Sequence, residues 1–155
     1  MIATLSLPSE DSATLLPVSG VAQTGGPNLN GIVAKSGVLL VGETNTGKLF
    51  RVDPDTGIAD EVDLGNEPLP SPDGLELRGN TLYVVGGGLV TVVRLGAHLA
   101  RGVVLGEITN PGLDIPTTAT VAAGRLWVVN ARFNTPPSPS TEYWITQLRL
   151  RPENG

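Results

Sequence analysis

A sequence pattern that returns every 43 or 44 residues constrains the fold of this chain more than any other feature. Three segments align without gaps: LNGIVAKSGVLLVG from Leu29, PDGLELRGNTLYVV from Pro72, and PTTATVAAGRLWVV from Pro116. Each segment reads as a short strand, a tight turn that contains glycine, and a second strand rich in apolar residues. Repeats of this length are typical of arrays and propellers, in which each repeat is one supersecondary unit.

Each repeat also contains a third strand, and the first two contain a fourth. The third strand recurs as KLFRV, TVVRL and TQLRL, beginning at Lys48, Thr91 and Thr146. Fourth strands follow turn signals, over 58–64 and 103–108. Four short strands in about 44 residues match one propeller blade, and no segment keeps the helical period of about 3.6 residues. The sequence therefore predicts an all-β fold, a β-propeller of four-stranded antiparallel blades.

The chain carries about three such blades, which is half of a six-bladed propeller. Propellers close with about four to eight blades, so a closed ring requires further strands. Residues 1–20 contain two strand-like pieces, 2–7 and 13–18, which we interpret as the third and fourth strands of a preceding blade. The other predicted units are blades at 26–69 and 70–113, a blade lacking its outer strand at 114–150, and a tail at 151–155.

Composition and charge argue against several classes of function. The net charge is −5 and every Lys and Arg stands alone in the sequence, so no nucleic acid partner is expected. The chain has no cysteine, which excludes a disulfide framework and a thiolate metal site. No apolar run reaches the roughly 18 residues of a membrane helix, so no membrane partner is expected. The first residues lack the features of a signal peptide, and the compartment stays open.

Several motifs, in order, resemble a known family of propellers. The segments GKLFRVDPDTG, SPDGLELRGNTLYVV and DIPTTATVAAGRLWVVNARFNTPPSPSTEYW look like the C-terminal half of six-bladed propellers of the senescence-marker-protein, gluconolactonase and luciferin-regenerating-enzyme class. The resemblance implies a divalent ion, usually calcium, on the channel axis and hydrolysis of a lactone or ester. It implies that Asn30 and Asp73 are metal ligands and that Asp73 is the general base. The family's Glu ligand and second Asn ligand belong to blades that these 155 residues do not contain, and members of the most similar branch are often exported.

Both candidate site residues also have an ordinary structural interpretation. Asp73 lies in a Pro-Asp-Gly tripeptide and Asn30 precedes a glycine, and both patterns are common in turns. Two oxygen donors are also fewer than the roughly six to eight that calcium prefers. The alternative function is a non-catalytic half-propeller, truncated or engineered, that acts as a self-assembling structural or binding module.

The incomplete ends of the array predict a partner. The last blade lacks an outer strand, and residues 1–20 supply two strands without a blade of their own. A homodimer in which these strands complete the last blade of the other copy would contain six blades, and two-fold dimers are the commonest oligomers. We therefore expect a second copy of the chain as the partner, and a small lactone or ester as the substrate.

Aromatic residues give two further expectations. Tyr83 and Trp127 occupy equivalent positions of the repeat, and both are expected to pack between blades. The Pro-rich segment NTPPSPST, which precedes Tyr143, is expected to form a loop at one mouth of the channel. That loop is a candidate substrate cover, and its alternative role is that of an ordinary exposed loop.

Overall fold

Three antiparallel β-sheets make up the described part of the chain. The structure is a computed structural model that describes residues 15–22, 24–65 and 68–152. These residues form eleven strands and no helix, and they confirm the predicted fold class. The first sheet contains β1 (Leu29–Lys35), β2 (Val38–Glu43), β3 (Lys48–Val52) and β4 (Ala59–Glu61). The second contains β5 (Pro72–Arg78), β6 (Thr81–Gly86), β7 (Leu89–Leu95) and β8 (Gly102–Ile108), and the third contains β9 (Pro116–Ala122), β10 (Arg125–Asn130) and β11 (Ile145–Leu148).

The strands follow the chain from one edge of each sheet to the other. Each strand pairs antiparallel with the next, in the orders β1-β2-β3-β4 and β5-β6-β7-β8, while β9 and β11 flank β10. The first strands of neighbouring sheets also contact each other, β1 against β5 and β5 against β9. The first strands are therefore innermost, as in the blades of a propeller.

Tight turns with positive φ join the first two strands of each sheet. Ser36 and Gly37 have φ of 51° and 76°, and Ala123 and Gly124 have φ of 48° and 70°. Two consecutive residues with positive φ are the signature of a type I′ hairpin turn, whose twist matches that of the flanking strands. Glycine at the second position adopts this backbone without steric cost.

Two layers of the hydrophobic core lie at the junctions between sheets, and a third cluster around Phe50 and Val52 lies on the outer face of the first sheet. Leu40 and Leu49 of the first sheet pack against Leu82 of the second in one cluster. On the opposite face of the second sheet, Val85 packs with Leu126 of the third. The middle sheet is thus buried on both faces, which explains why β6 reads as a continuous apolar run rather than an alternating one.

Polar contacts add to the junction between the second and third sheets. The hydroxyl of buried Tyr83 donates a hydrogen bond to the carbonyl of Leu150 at 3.1 Å. Glu76 Oε1 accepts a hydrogen bond from the backbone N–H of Val121 at 2.7 Å. Tyr83 therefore packs between sheets as expected. Trp127 is half-buried, and it alternates with residues that face the second sheet, so it lies on the free face of the third sheet instead.

The N-terminal predictions fall largely outside the described residues. The predicted strand at 2–7 lies wholly outside them, and so does the start of the predicted strand at 13–18. Residues 15–18 are described and belong to no strand, whereas Ser19 forms a parallel bridge with Ile58. Among the described residues, there is no helix long and apolar enough to cross a membrane.

Candidate functional site

The first strands of the three sheets approach each other at glycine residues. A Cβ placed on Gly31 would lie 2.2 Å from the carbonyl oxygen of Asp73, and one on Gly74 would lie 2.4 Å from that of Thr117. Neither position has room for a side chain, so glycine permits the close approach of the two backbones. Asn30, Asp73 and Thr117 occupy the same position of the repeat and are therefore held at the same rim of the innermost strands.

Irregular pairing marks the start of all three of these strands, and between β9 and β10 the shift skips Thr117. The register of β1 with β2 shifts between Leu29 and Ile32, and that of β5 with β6 shifts between Pro72 and Gly74. A bulge changes the direction of side chains relative to a regular strand and is frequent beside active sites. Asn30 and Asp73 both lie inside such an irregular stretch.

Thr44 links the first two sheets beside Asn30. Its hydroxyl donates a hydrogen bond to the carbonyl of Pro72 at 2.7 Å and accepts one from Nδ2 of Asn30 at 3.2 Å. Pro72 directly precedes Asp73, so this chain of bonds fixes the two candidate residues relative to each other. The sequence analysis did not identify Thr44, because nothing in the repeat distinguishes it from other turn residues.

Asp73 is half-buried, and its surroundings change its acidity. Loss of solvation on burial raises the pKa of the Asp73 carboxyl above its ordinary value, and a hydrogen bond from the Asn30 side chain offsets part of that rise. A carboxylate with a raised pKa is a stronger base than an exposed one, which suits a general base. The two residues predicted from the sequence thus lie next to each other.

Replacing Asp73 by asparagine should change how stability depends on pH. The folded state binds the Asp73 proton more tightly than the unfolded chain does, because the folded pKa is raised. The wild type should therefore gain stability relative to D73N as the pH falls from neutral through the raised pKa toward the ordinary value. Urea unfolding of both proteins at a series of pH values measures this difference.

Asp53 is a control whose contribution to stability should change with pH in the opposite direction. The backbone N–H groups of Thr56 and Asp55 donate to its carboxylate and hold its pKa below the ordinary value. Its contribution to stability is therefore present above the ordinary pKa and is lost as the pH falls through the lowered one. If D73N and D53N changed with pH in the same direction relative to wild type, the assignment for Asp73 would be wrong.

Buried polar side chains occupy the end of the second strand in the first and third sheets. Asn130 accepts a hydrogen bond from the N–H of Asp114 at 2.9 Å and donates one to Thr146 Oγ1 at 2.9 Å. At the equivalent position Glu43 is buried, and the Thr46 hydroxyl donates to its Oε2. Glu43 Oε1 has no hydrogen-bond partner among the described residues. Alignment of the repeats shows that these positions are equivalent, but it does not show their burial.

An aromatic loop follows the third sheet's second strand, close to Thr117. The loop begins at Ala131, whose N–H donates to the carbonyl of Ile115 at 2.9 Å. Arg132 pairs with Asp114 at 2.8 Å, and its guanidinium lies 4.4 Å above the ring of Trp144, a cation–π contact. The loop thus lies beside the rim of the innermost strands, and its exposed aromatic residues are Phe133, Tyr143 and Trp144.

The side-chain donors that the structure describes in one chain are fewer than a calcium ion requires. Within 15–22, 24–65 and 68–152, no group of three or more His, Cys, Asp or Glu residues could hold a metal ion. Asn30 and Asp73 supply two side-chain donors, whereas calcium takes about six to eight oxygen ligands. The described residues of a single chain therefore do not fit a calcium ion by themselves.

Comparison with known proteins supports the fold, through similarity to solved structures. No family model matches the chain, and no curated protein matches its sequence. A chain in a crystal structure of a nidogen/laminin complex is similar over 72% of this chain and 42% of its own length, with 22% identity and a TM-score of 0.50. Glutaminyl cyclase from Myxococcus xanthus matches over 68% of this chain and 51% of its own length, with 20% identity and a TM-score of 0.44.

The described chain therefore spans less than two thirds of these two solved structures. The first of them is a β-propeller, and at this level of identity the similarity concerns the fold alone. Combined with the radial order of the strands, it shows that the chain has a β-propeller fold.

Proposed function

We propose that this half-propeller, once assembled into a ring, hydrolyses a lactone or ester at the rim that carries Asn30 and Asp73. The observation that supports the proposal most is the placement of a half-buried carboxylate beside a carboxamide at the innermost strands. In a propeller the inner ends of all blades face one central channel. A small substrate that enters this channel would meet both groups.

Asp73 would act as the general base. Its carboxylate takes a proton from water while the water oxygen forms a bond to the carbonyl carbon of the substrate. Collapse of the tetrahedral intermediate breaks the bond to the alkoxide oxygen, and the proton on Asp73 passes to that leaving oxygen. Asn30 would position the base through the hydrogen bond that acts on the Asp73 carboxyl, and Thr44 would hold Asn30 in place.

A divalent cation, calcium by the family resemblance, belongs to this proposal as a ligand of the assembled ring. Asn30 and Asp73 would hold it, and the cation would supply electrostatic stabilisation of negative charge on the substrate. Since one chain provides two side-chain donors, further oxygen ligands must come from outside that chain.

The aromatic loop suggests which side of the rim faces the substrate. Phe133 and Tyr143 expose their rings on the loop that begins beside the third sheet's innermost strand. Such rings offer flat surfaces against which the ring of a lactone derived from a sugar could pack. In this proposal the loop would serve as the substrate cover.

The test compares wild type with D73N on a sugar δ-lactone and on p-nitrophenyl acetate. Loss of the general base should lower kcat/KM by about 100-fold or more, whereas D53N, in an exposed hairpin, should retain wild-type activity. Titration calorimetry with calcium should show binding by wild type that is lost in D73A. Equal activity of wild type and D73N, or no activity in either, would contradict the proposal.

The alternative is a self-assembling module without chemistry. Its specific support is the apolar surface at both ends of the array, where Leu15 and Ile145 are exposed. Absence of both calcium binding and hydrolysis, together with a stable assembly, would favour this alternative.

A further inference from the structure

The segment before the first sheet occupies a position that the repeat defines. Asp63 follows β4 and bridges in parallel to the start of β8: its N–H donates to Ala100 at 3.0 Å, and its carbonyl accepts from Gly102 at 2.9 Å. Ser19 makes the same bridge to the start of the first sheet's outer strand, donating to Gly57 at 3.0 Å and accepting from Ala59 at 2.9 Å.

Ser19 and Asp63 are 44 residues apart, one repeat length. Ser19 therefore occupies the position of the residue that follows an outer strand, as Asp63 does after β4. By the same shift, residues 15–17 correspond to β4, and they belong to no strand of their own chain. They occupy the place of an outer strand whose blade must precede the first sheet.

Exposure of the apolar residues agrees with this equivalence. Leu15 is 90% exposed, whereas its counterpart Ala59 in the completed first sheet is 6% exposed. Ile32 on the outward face of the first sheet is also exposed, although its counterpart Leu75 is buried against the neighbouring sheet. The side of the first sheet that points away from the second sheet thus exposes apolar residues whose counterparts elsewhere in the repeat are buried.

At the opposite end of the array, the third sheet has no fourth strand among the described residues. Ile145 on β11 is 60% exposed, and its counterpart Val90 in the complete second sheet is 0% exposed. A groove of about 370 Å³ runs between the end of β8 and β11, with Glu107, Ile108, Gln147 and Arg149 among its lining residues. In the second sheet, the equivalent edge of β7 is occupied by β8.

We propose that a second copy of this chain fills that groove with residues 15–17, which pair antiparallel with β11 as the fourth strand of the third sheet. Each copy gives one strand and receives one, so a two-fold dimer closes a ring of six sheets. The contacts would repeat those already present between the first and second sheets, and the main-chain bonds would cover the free edge of β11. Each dimer would also place two Asn30–Asp73 pairs around one axis.

The repeat fixes the register of the added strand. Val52 lies opposite Ala59 in the first sheet, so Leu150 of one copy should lie opposite Leu15 of the other. Pro17 corresponds to Glu61 of β4. Ile58 and Val62, on either side of Glu61, form hydrogen bonds to β3, so the N–H of Glu61 points away from β3. Proline is tolerated at such a position, since it removes no bond of the ladder.

Light scattering after gel filtration tests the assembly without reference to activity. The chain at micromolar concentration should have twice its mass of 16.0 kDa, and L15D should halve the observed mass. V103D serves as the control, because Val103 is exposed on β8 beside Asp63 and Leu95, outside the groove that residues 15–17 would fill. A monomeric wild type would overturn the proposal, because the remaining blades of the ring would then belong to another chain. A mass above that of a dimer would also overturn it.

A disulfide test does not depend on the folding of L15D. The chain has no cysteine, so L15C and L150C chains can be mixed and oxidised. Residues opposite each other at a non-hydrogen-bonded pair have Cα atoms about 4.5 Å apart, within the range of a disulfide. We expect a covalent dimer from the L15C/L150C mixture and none from an L15C/V103C mixture, since Val103 lies on β8 outside the groove. Equal yields from both mixtures, or no cross-link in either, would overturn the proposed register.

Discussion

Replacing Leu82 by alanine should lower the free energy of unfolding by about 2–5 kcal/mol. Leu82 is fully buried and packs with Leu40 and Leu49 across the junction between the first and second sheets. Its truncation removes apolar contacts from two sheets at once and leaves a cavity in a layer with little freedom to collapse. Urea unfolding at a fixed protein concentration measures the loss, since the stability of an assembled protein depends on concentration.

Leu105 provides the same chemical change at an exposed position. It lies on β8 and is 40% exposed, so L105A should change stability by no more than about 0.5 kcal/mol. If L82A and L105A cost the same, the junction between the first two sheets would not be the core described above.

Replacing Gly74 by alanine should destabilise the fold and disturb the candidate site together. The new Cβ would lie 2.4 Å from the carbonyl oxygen of Thr117 and 2.7 Å from Cα of Thr118. Both are backbone atoms, so the strands β5 and β9 must move apart. Overpacking of this kind costs about 1–3 kcal/mol or more, and the movement would displace Asp73, which precedes the substituted residue. Thermal unfolding and calcium titration of the same sample would measure both effects.

Gly25 is the matched control for that substitution. No atom lies within 4 Å of a Cβ placed there, so G25A should leave both the unfolding temperature and the calcium titration unchanged or slightly raise the former. A similar loss of stability in G25A and G74A would show that the close approach of β5 and β9 is not what requires glycine.

The repeat made the fold predictable because each strand carries its own pattern. Apolar runs of five or six residues and glycine turns recur at one spacing, so pairing between successive strands needed no long-range information. Outer strands were harder to bound: 58–64 was expected, and β4 covers Ala59–Glu61. Short outer strands have one neighbour and a weak apolar pattern, so the sequence indicates where they lie better than where they end.

The candidate site was predictable in its positions and not in its chemistry. The alignment placed Asn30 and Asp73 at equivalent points, and the structure brings them together. The raised pKa of Asp73 depends on burial, and the link through Thr44 depends on the distance between two sheets. Neither quantity is encoded by the spacing of residues along one repeat. The burial of Glu43 was not predictable for the same reason.

The position of the middle sheet has a consequence for how the molecule opens. Repeat proteins gain much of their stability from interfaces between neighbouring units, and the second sheet has two such interfaces, whereas the first and third have one each within the chain. Opening the second sheet requires both interfaces to break, so the amide protons of β6 should exchange with solvent only through global unfolding. Those of β11, which has one paired edge, should exchange through local fraying. A dimer of the proposed kind would remove this difference, because every sheet would then have two neighbours and hydrogen exchange would become uniform around the ring.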